Sequence, residues 1–110
     1  MAITWKEMVK AATLTGTSVS LYTAPALASG TIQAATVYNS TGAAIQVNIY
    51  KVPPGLAADA TTMICTRSVP AGAVVQANEA INHKLQSGTQ IFASGAGLTL
   101  NVSGVEYVPE

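Results

Sequence analysis

Apolar side chains recur at every second position along most of this chain, and that spacing constrains its fold more than any other feature. In "AIQVNIYKV" (44–52), Ile45, Val47 and Ile49 alternate with Gln46, Asn48 and Tyr50. Successive side chains of a strand point to opposite faces, so such a run packs one face and exposes the other. A helix would set Ile45 beside Ile49 but turn Val47 to the far side. The same alternation marks "TSVSLYTA" (17–24) and "LTLNVSGVEYV" (98–108), and "TIQAATVYN" (31–39), "TTMICTRSV" (61–69) and "GTQIFASG" (88–95) read as further strands.

Turn residues separate these runs. "NSTGA" supplies Asn39 and Gly42, which tolerate the positive φ of a tight bend, so 31–39 and 44–52 read as a hairpin. "VPPG" ends the second run, because proline donates nothing to a ladder and Pro53 biases Val52 toward an extended shape. "LAADA" (56–60) is too short to stand as a helix and reads as a connection. "AVVQANEAI" (73–81) reads as a strand, with a short helix as the alternative, and "SGAG" as another hairpin bend. Short strands with turn signals at intervals of about ten residues predict an all-β fold. The expectation is an antiparallel β-sandwich, jelly-roll-like, with seven or eight strands. A chain of 110 residues is one domain on size. Ala and Gly outnumber Ile, Leu and Val, so its core is thin and built from small residues.

The opening segment departs from this pattern. Trp5, Met8, Val9 and Ala12 have helical spacing, which predicts a short N-terminal helix or an arm that orders on a partner. The chain therefore divides into an arm or helix at 1–16 and a sandwich at 17–110. Trp5, Met8 and Val9 are the expected interface anchors, since aromatic and Met side chains are enriched in interface cores.

Asp, Glu, Lys and Arg make up 9% of the chain, against about 25% in ordinary soluble domains. The five basic and five acidic residues are scattered, and no basic patch invites nucleic acid. A surface with so little field suits a protein packed against neighbours. No stretch has the length and apolarity of a signal peptide or membrane span, so synthesis in the cytoplasm and no membrane partner are expected.

Catalytic constellations are equally sparse. His83 has no placed nucleophile or orienting carboxylate beside it in sequence, and no G-x-S-x-G elbow occurs. Cys65, His83, Asp59, Glu79 and Glu106 lack metal-ligand spacing, and the lone Cys65 reads as a buried thiol. No glycine-rich loop carries the lysine of a phosphate cradle. The expectation is a non-enzymatic protein with no cofactor, metal or small-molecule substrate. Two surfaces are candidates for binding. Tyr22, Tyr38 and Tyr50, with Trp5 and Tyr107, are candidates for an aromatic platform that stacks on sugars or meets a protein. Gln33, Gln46, Asn48, Thr99 and Asn101 form a polar set that fits a wet outer face or an amide-bonded interface.

"SLYTAPALASGTIQAATVYNSTGAAIQVNIYKVPPG" (20–55) and "AGAVVQANEAINHKLQSGTQIFASGAGLTLNVSGVEY" (71–107) together resemble a recurrent pattern of small bacteriophage virion proteins. The order carries the likeness. An "LYT" opening precedes a strand ending in Asn, a second strand ends in "YKVPPG", a "PAG" turn follows, and "SGVEY" lies in the closing strand. The opening "MAITWKEMVKAA" has no counterpart in that pattern. The resemblance implies a β-sandwich virion component without catalytic residues. The first expectation is a capsid decoration or cement protein binding the major capsid protein and copies of itself, as a dimer or trimer, on the capsid surface. A tail, connector or fibre-associated component, with a carbohydrate-binding role for the tyrosines, is the alternative.

Overall fold

The computed structural model describes residues 2–108; Met1, Pro109 and Glu110, at the outer ends of the two expected spans, lie outside the described residues. Nine strands follow one another: β1 (Ala2–Thr13), β2 (Val19–Thr23), β3 (Ser29–Asn39), β4 (Ile45–Val52), β5 (Met63–Val69), β6 (Val74–Gln76), β7 (Lys84–Leu85), β8 (Gln90–Ser94) and β9 (Leu98–Val108). All pairings are antiparallel. One sheet has the order β1-β9-β3-β6, with β7 also against β3, and the other has the order β2-β8-β4-β5.

The pairing is nested. β1 meets β9, β2 meets β8, β3 meets β6 and β7, and β4 meets β5. The chain is thus one long two-stranded ribbon, closed at the β4–β5 turn and rolled so that alternate rungs fall in opposite sheets. That is the jelly roll, in which β6 and β7 are two pieces of one interrupted strand. The eight ladder positions match the expected architecture.

Four local expectations are corrected. Residues 31–39 and 44–52 are strands, but not a hairpin: β3 and β4 belong to different sheets, and Ser40–Ala44 is a corner between them. The "SGAG" bend is likewise a corner, from β8 to β9. The helix expected near Trp5 is strand β1, hydrogen-bonded along β9 from Ala2↔Val108 to Thr13↔Thr99. The 73–81 run divides into β6 and a single 3-10 turn, Asn78–Ala80.

The core lies between the sheets and is filled by Ile32, Val37, Val47, Ile49, Ile91 and Leu100, all at most 1% exposed. Its lower part is shaped by two glycines. A side chain at Gly104 would collide with the Thr31 carbonyl and, like one at Gly30, would meet the terminal methyl of Met8. Met8 therefore fills space that larger residues on β3 and β9 would occupy. At the opposite end Asn39 is fully buried, and its side chain is bonded to both the corner and β5.

Candidate functional site

Each strand direction assigns its loops to one end of the roll. At the upper end lie the corners 14–18, 40–44, 70–73 and 95–97. They contain no charged residue and, apart from the buried Leu14, only small residues and one proline. At the basal end lie the starts of β1 and β3, the end of β9, the 24–28 turn and the 53–62 connection.

Among the described residues eight large apolar side chains are left in water; Val19, Tyr38 and Val74 stand toward the upper end and the other five toward the basal end. Ile3 is 62% exposed, Trp5 77%, Leu27 82%, and Leu56 and Val108 are also exposed. Isolated exposed apolar residues are ordinary, but five converging on one end of a small domain point to a contact surface. Ile3 shares a rung with Tyr107 and Trp5 shares one with Val105. Two apart on a regular stretch of β1, Ile3 and Trp5 share one face of their sheet, on the side away from the inter-sheet core cluster, where Tyr107 is half-buried and Val105 is covered. Beside Trp5 runs an open groove of about 390 Å³ lined by Glu7, Lys10, Gln33 and Ser103.

Leu27 is the most informative of the five. It stands third in a turn closed by the Ala28 N–H donating to the Pro25 carbonyl at 3.1 Å, with φ at +63°. That conformation costs an L-residue about 1–2 kcal/mol and favours Gly or Asn. The turn is held in place nonetheless: the Leu27 N–H donates to Ser87 Oγ at 3.1 Å, and Ser87 donates to the Pro25 carbonyl at 3.2 Å. A strained, rigid turn that presents a leucine to solvent is a feature of binding sites. The reading of the sequence missed Leu27 and Leu56. The available signal was a leucine within turn chemistry, in "PALAS" and "PPGL".

The expected anchors divide. Trp5 and Tyr38 are exposed, whereas Met8, Val9, Tyr22 and Tyr50 are buried at 5%, 4%, 9% and 8% exposure. Met8 and Val9 are core residues because a bulge between Glu7 and Val9 brings both inward. Tyr22 packs in the core and its hydroxyl donates to Glu106, which is itself buried. Tyr50 shares its rungs with Phe92 and Met63. The tyrosines therefore form no common platform: Tyr22 and Tyr50 lie in one sheet, Tyr38 and Tyr107 in the other. The polar set divides the same way. Gln46 and Asn48 are joined through Thr66 on β5, while Gln33, Thr99 and Asn101 belong to the β9 sheet.

The titratable groups lie near the lower flank. Burial, with the Glu106 carboxylate second, holds the Tyr22 phenol far above its usual value. Burial and then the Lys51 ammonium pull His83 below its usual value, opposed by a hydrogen bond with the Glu79 backbone. Cys65 donates to Glu79 Oε1 at 3.4 Å, and Arg67 donates to Oε2 of the same carboxylate at 3.1 Å. Burial first, then the carboxylate, pushes the Cys65 thiol up to about 11. A nucleophilic cysteine needs the opposite shift.

That shift sets an alkaline dependence. An unfolded cysteine ionises near about 8.5, while folded Cys65 keeps its proton to about 11. The resulting stabilisation is complete below the unfolded value and declines as pH rises toward the folded one, by on the order of 3 kcal/mol. The urea midpoint is expected to fall through this interval, with a shallower slope in Cys65→Ala. An identical slope in the variant would remove Cys65 as its source.

No protein-family model and no curated protein matches the chain. Among solved structures, a subunit described as Bacillus endospore appendages that form a novel family of disulfide-linked pili is similar over 98% of this chain and 89% of its own, at 12% identity and a TM-score of 0.54. The infectious bursal disease virus Gx strain is similar over 97% of this chain at 13% identity and a TM-score of 0.43. The T13 particle of the same virus gives 14% identity and 0.44. This chain spans only 32% and 31% of those two viral chains. The likeness to the pilus subunit over nearly all of this chain agrees with the topology of an antiparallel β-sandwich.

Proposed function

We propose that the chain is a virion structural subunit, a capsid decoration protein that seats its basal end on the major capsid protein of a bacteriophage. The observation that carries this reading is the gathering of Ile3, Trp5, Leu27, Leu56 and Val108 toward one end of the roll, against three such side chains beside the small, uncharged corners of the other. The resemblance of residues 20–107 to small phage virion proteins supplies the particle. The scarcity of charge leaves apolar area as the source of affinity.

The test adds purified protein to shells assembled without it. Saturable binding at about one copy per major capsid subunit is expected. Leu27→Asp and Leu56→Asp should each weaken it by about tenfold or more, with melting temperatures kept within a few degrees of the parent. Full occupancy by both variants would overturn the basal end as the docking surface.

A tail or appendage component is the second reading, favoured by the pilus-subunit likeness over nearly the whole chain. Copy number separates the two. A dozen copies or fewer per particle, or filaments of the purified protein, would select the second.

A further inference from the structure

The sheet edges of this roll are not equally protected. Natural proteins shield edges with short strands, bulges, charge, proline or a covering segment. β2 is five residues long with a bulge between Ser20 and Tyr22. β5 carries Arg67, ends before Pro70, and has the Asn78–Ala80 turn packed against it. β6 and β7 are three and two residues long. The upper half of β1 is shielded as well. It has two bulges, an Ala11 at φ +48° whose N–H is tied to Asn101 Oδ1, and exposed Lys10.

The lower half of β1 has none of these devices. Ala2 to Lys6 pair regularly with Val108 to Gly104, without bulge or proline. The first four of these residues are uncharged and exposed, and among the described residues no strand pairs with their outer edge. The same four residues include two large exposed apolar side chains of the sheet, Ile3 and Trp5.

We infer that this edge pairs with the same edge of a second copy, antiparallel about a two-fold axis at Thr4. The register follows from the side chains. A two-fold axis normal to the sheet keeps each outer face outward, so the residue on the axis meets itself and its neighbours meet reciprocally. With Thr4 on the axis, Ile3 of each copy faces Trp5 of the other, and Ala2 faces Lys6. Both large exposed side chains are then covered twice over, and the Tyr107 rungs extend the apolar strip on either side. An axis at Trp5 sets Ile3 against Glu7. An axis at Lys6 or Glu7 sets like charges directly opposite, which destabilises a ladder. Lys6 and Glu7 thus act as register stops. The product is one sheet continuous through both copies, with the basal loops of the two rolls brought near one another. This pairing rests on the edge itself and not on the proposed capsid role.

Single-cysteine cross-linking tests it on the full chain. Cys65 is buried, so an introduced thiol at the edge is the reactive one. The parent should sediment at twice its 11.2 kDa mass. Thr4→Cys, whose site lies on the axis, should give a disulfide-linked dimer in near-quantitative yield under mild oxidant. Ile3→Cys and Trp5→Cys should cross-link at least tenfold more slowly, because neither faces itself. Trp5→Glu should return the monomer mass and still unfold in one cooperative transition, with a melting temperature that no longer depends on protein concentration. A parent that stays monomeric at millimolar concentration overturns the pairing. A dimer that cross-links best through Trp5→Cys, or through no β1 position, overturns the register. Dimerisation of the parent without shell binding marks failure of the capsid role alone, and shell binding by a parent that stays monomeric marks failure of this pairing alone.

Discussion

Deleting residues 1–12 abolishes the cooperative unfolding transition of the whole chain. The opening segment is an outer strand of the roll and not a detachable arm, so its removal bares the full length of β9. It also takes Met8 and Val9 out of the core, at 5% and 4% exposure. Burial of each such side chain is worth about 1.5–3 kcal/mol, and the space over Gly30 and Gly104 that Met8 fills becomes a void. Lost ladder bonds add about 0.5–1.5 kcal/mol each, while the freed segment recovers chain entropy that offsets part of this. The net loss is on the order of 5 kcal/mol, comparable with the whole stability of a small domain. Calorimetry of the truncated chain should show no heat-absorption peak, and its amide spectrum should lack the dispersion of a folded sheet. A sharp transition near the parental temperature would restore the arm.

The helical reading of this segment failed for a physical reason. Each β-bulge slips the alternation by one residue, and β1 has irregularities between Glu7 and Val9 and between Val9 and Ala12. Met8 and Val9 consequently both face the core, and the apolar positions 5, 8, 9 and 12 imitate a helical stripe. Where the ladder is regular, as in Leu98, Leu100 and Val102, the alternation gave the right face from sequence alone. Sheet membership was less legible. The residues that suit a hairpin also suit a corner between sheets, and only the distant partner decides. β3 pairs with β9 and not with β4, a choice made some sixty residues down the chain. The candidate site followed the same division. Trp5 was identifiable as a large ring among polar residues. The burial of Tyr22 depends on Glu106, 84 positions away, and no local pattern contains that information. Leu27 was visible only as a residue poorly suited to its turn.

Asn39→Ala lowers stability by about 3 kcal/mol, the largest effect expected of a single truncation at a corner. The Asn39 side chain is 0% exposed and uses its polar valences completely. Nδ2 donates to the Ala43 carbonyl at 2.8 Å and to the Val69 carbonyl at 2.9 Å. Oδ1 accepts from the Thr41 N–H at 2.9 Å and the Thr41 hydroxyl at 2.7 Å. One amide thus ties the end of β3 to the corner that follows and to the end of β5 in the opposite sheet. Alanine removes all four bonds and leaves the buried Val69 carbonyl without this donor, at about 1–3 kcal/mol for such a group. For a domain of this size the melting temperature should fall by about 10–20 °C. Asn39→Asp separates the hydrogen-bond role from volume. A carboxylate there can accept from Thr41 but faces two carbonyls with no proton to offer, so at neutral pH it should be at least as unstable as alanine. Those carbonyls and the burial raise its folded pKa above the unfolded value near about 4. Its deficit relative to Asn39→Ala should therefore shrink as pH falls through the folded value, because a protonated carboxyl can donate to one carbonyl. Equal stability of the two variants at every pH would show that the amide protons of Asn39 do not hold the corner to β5.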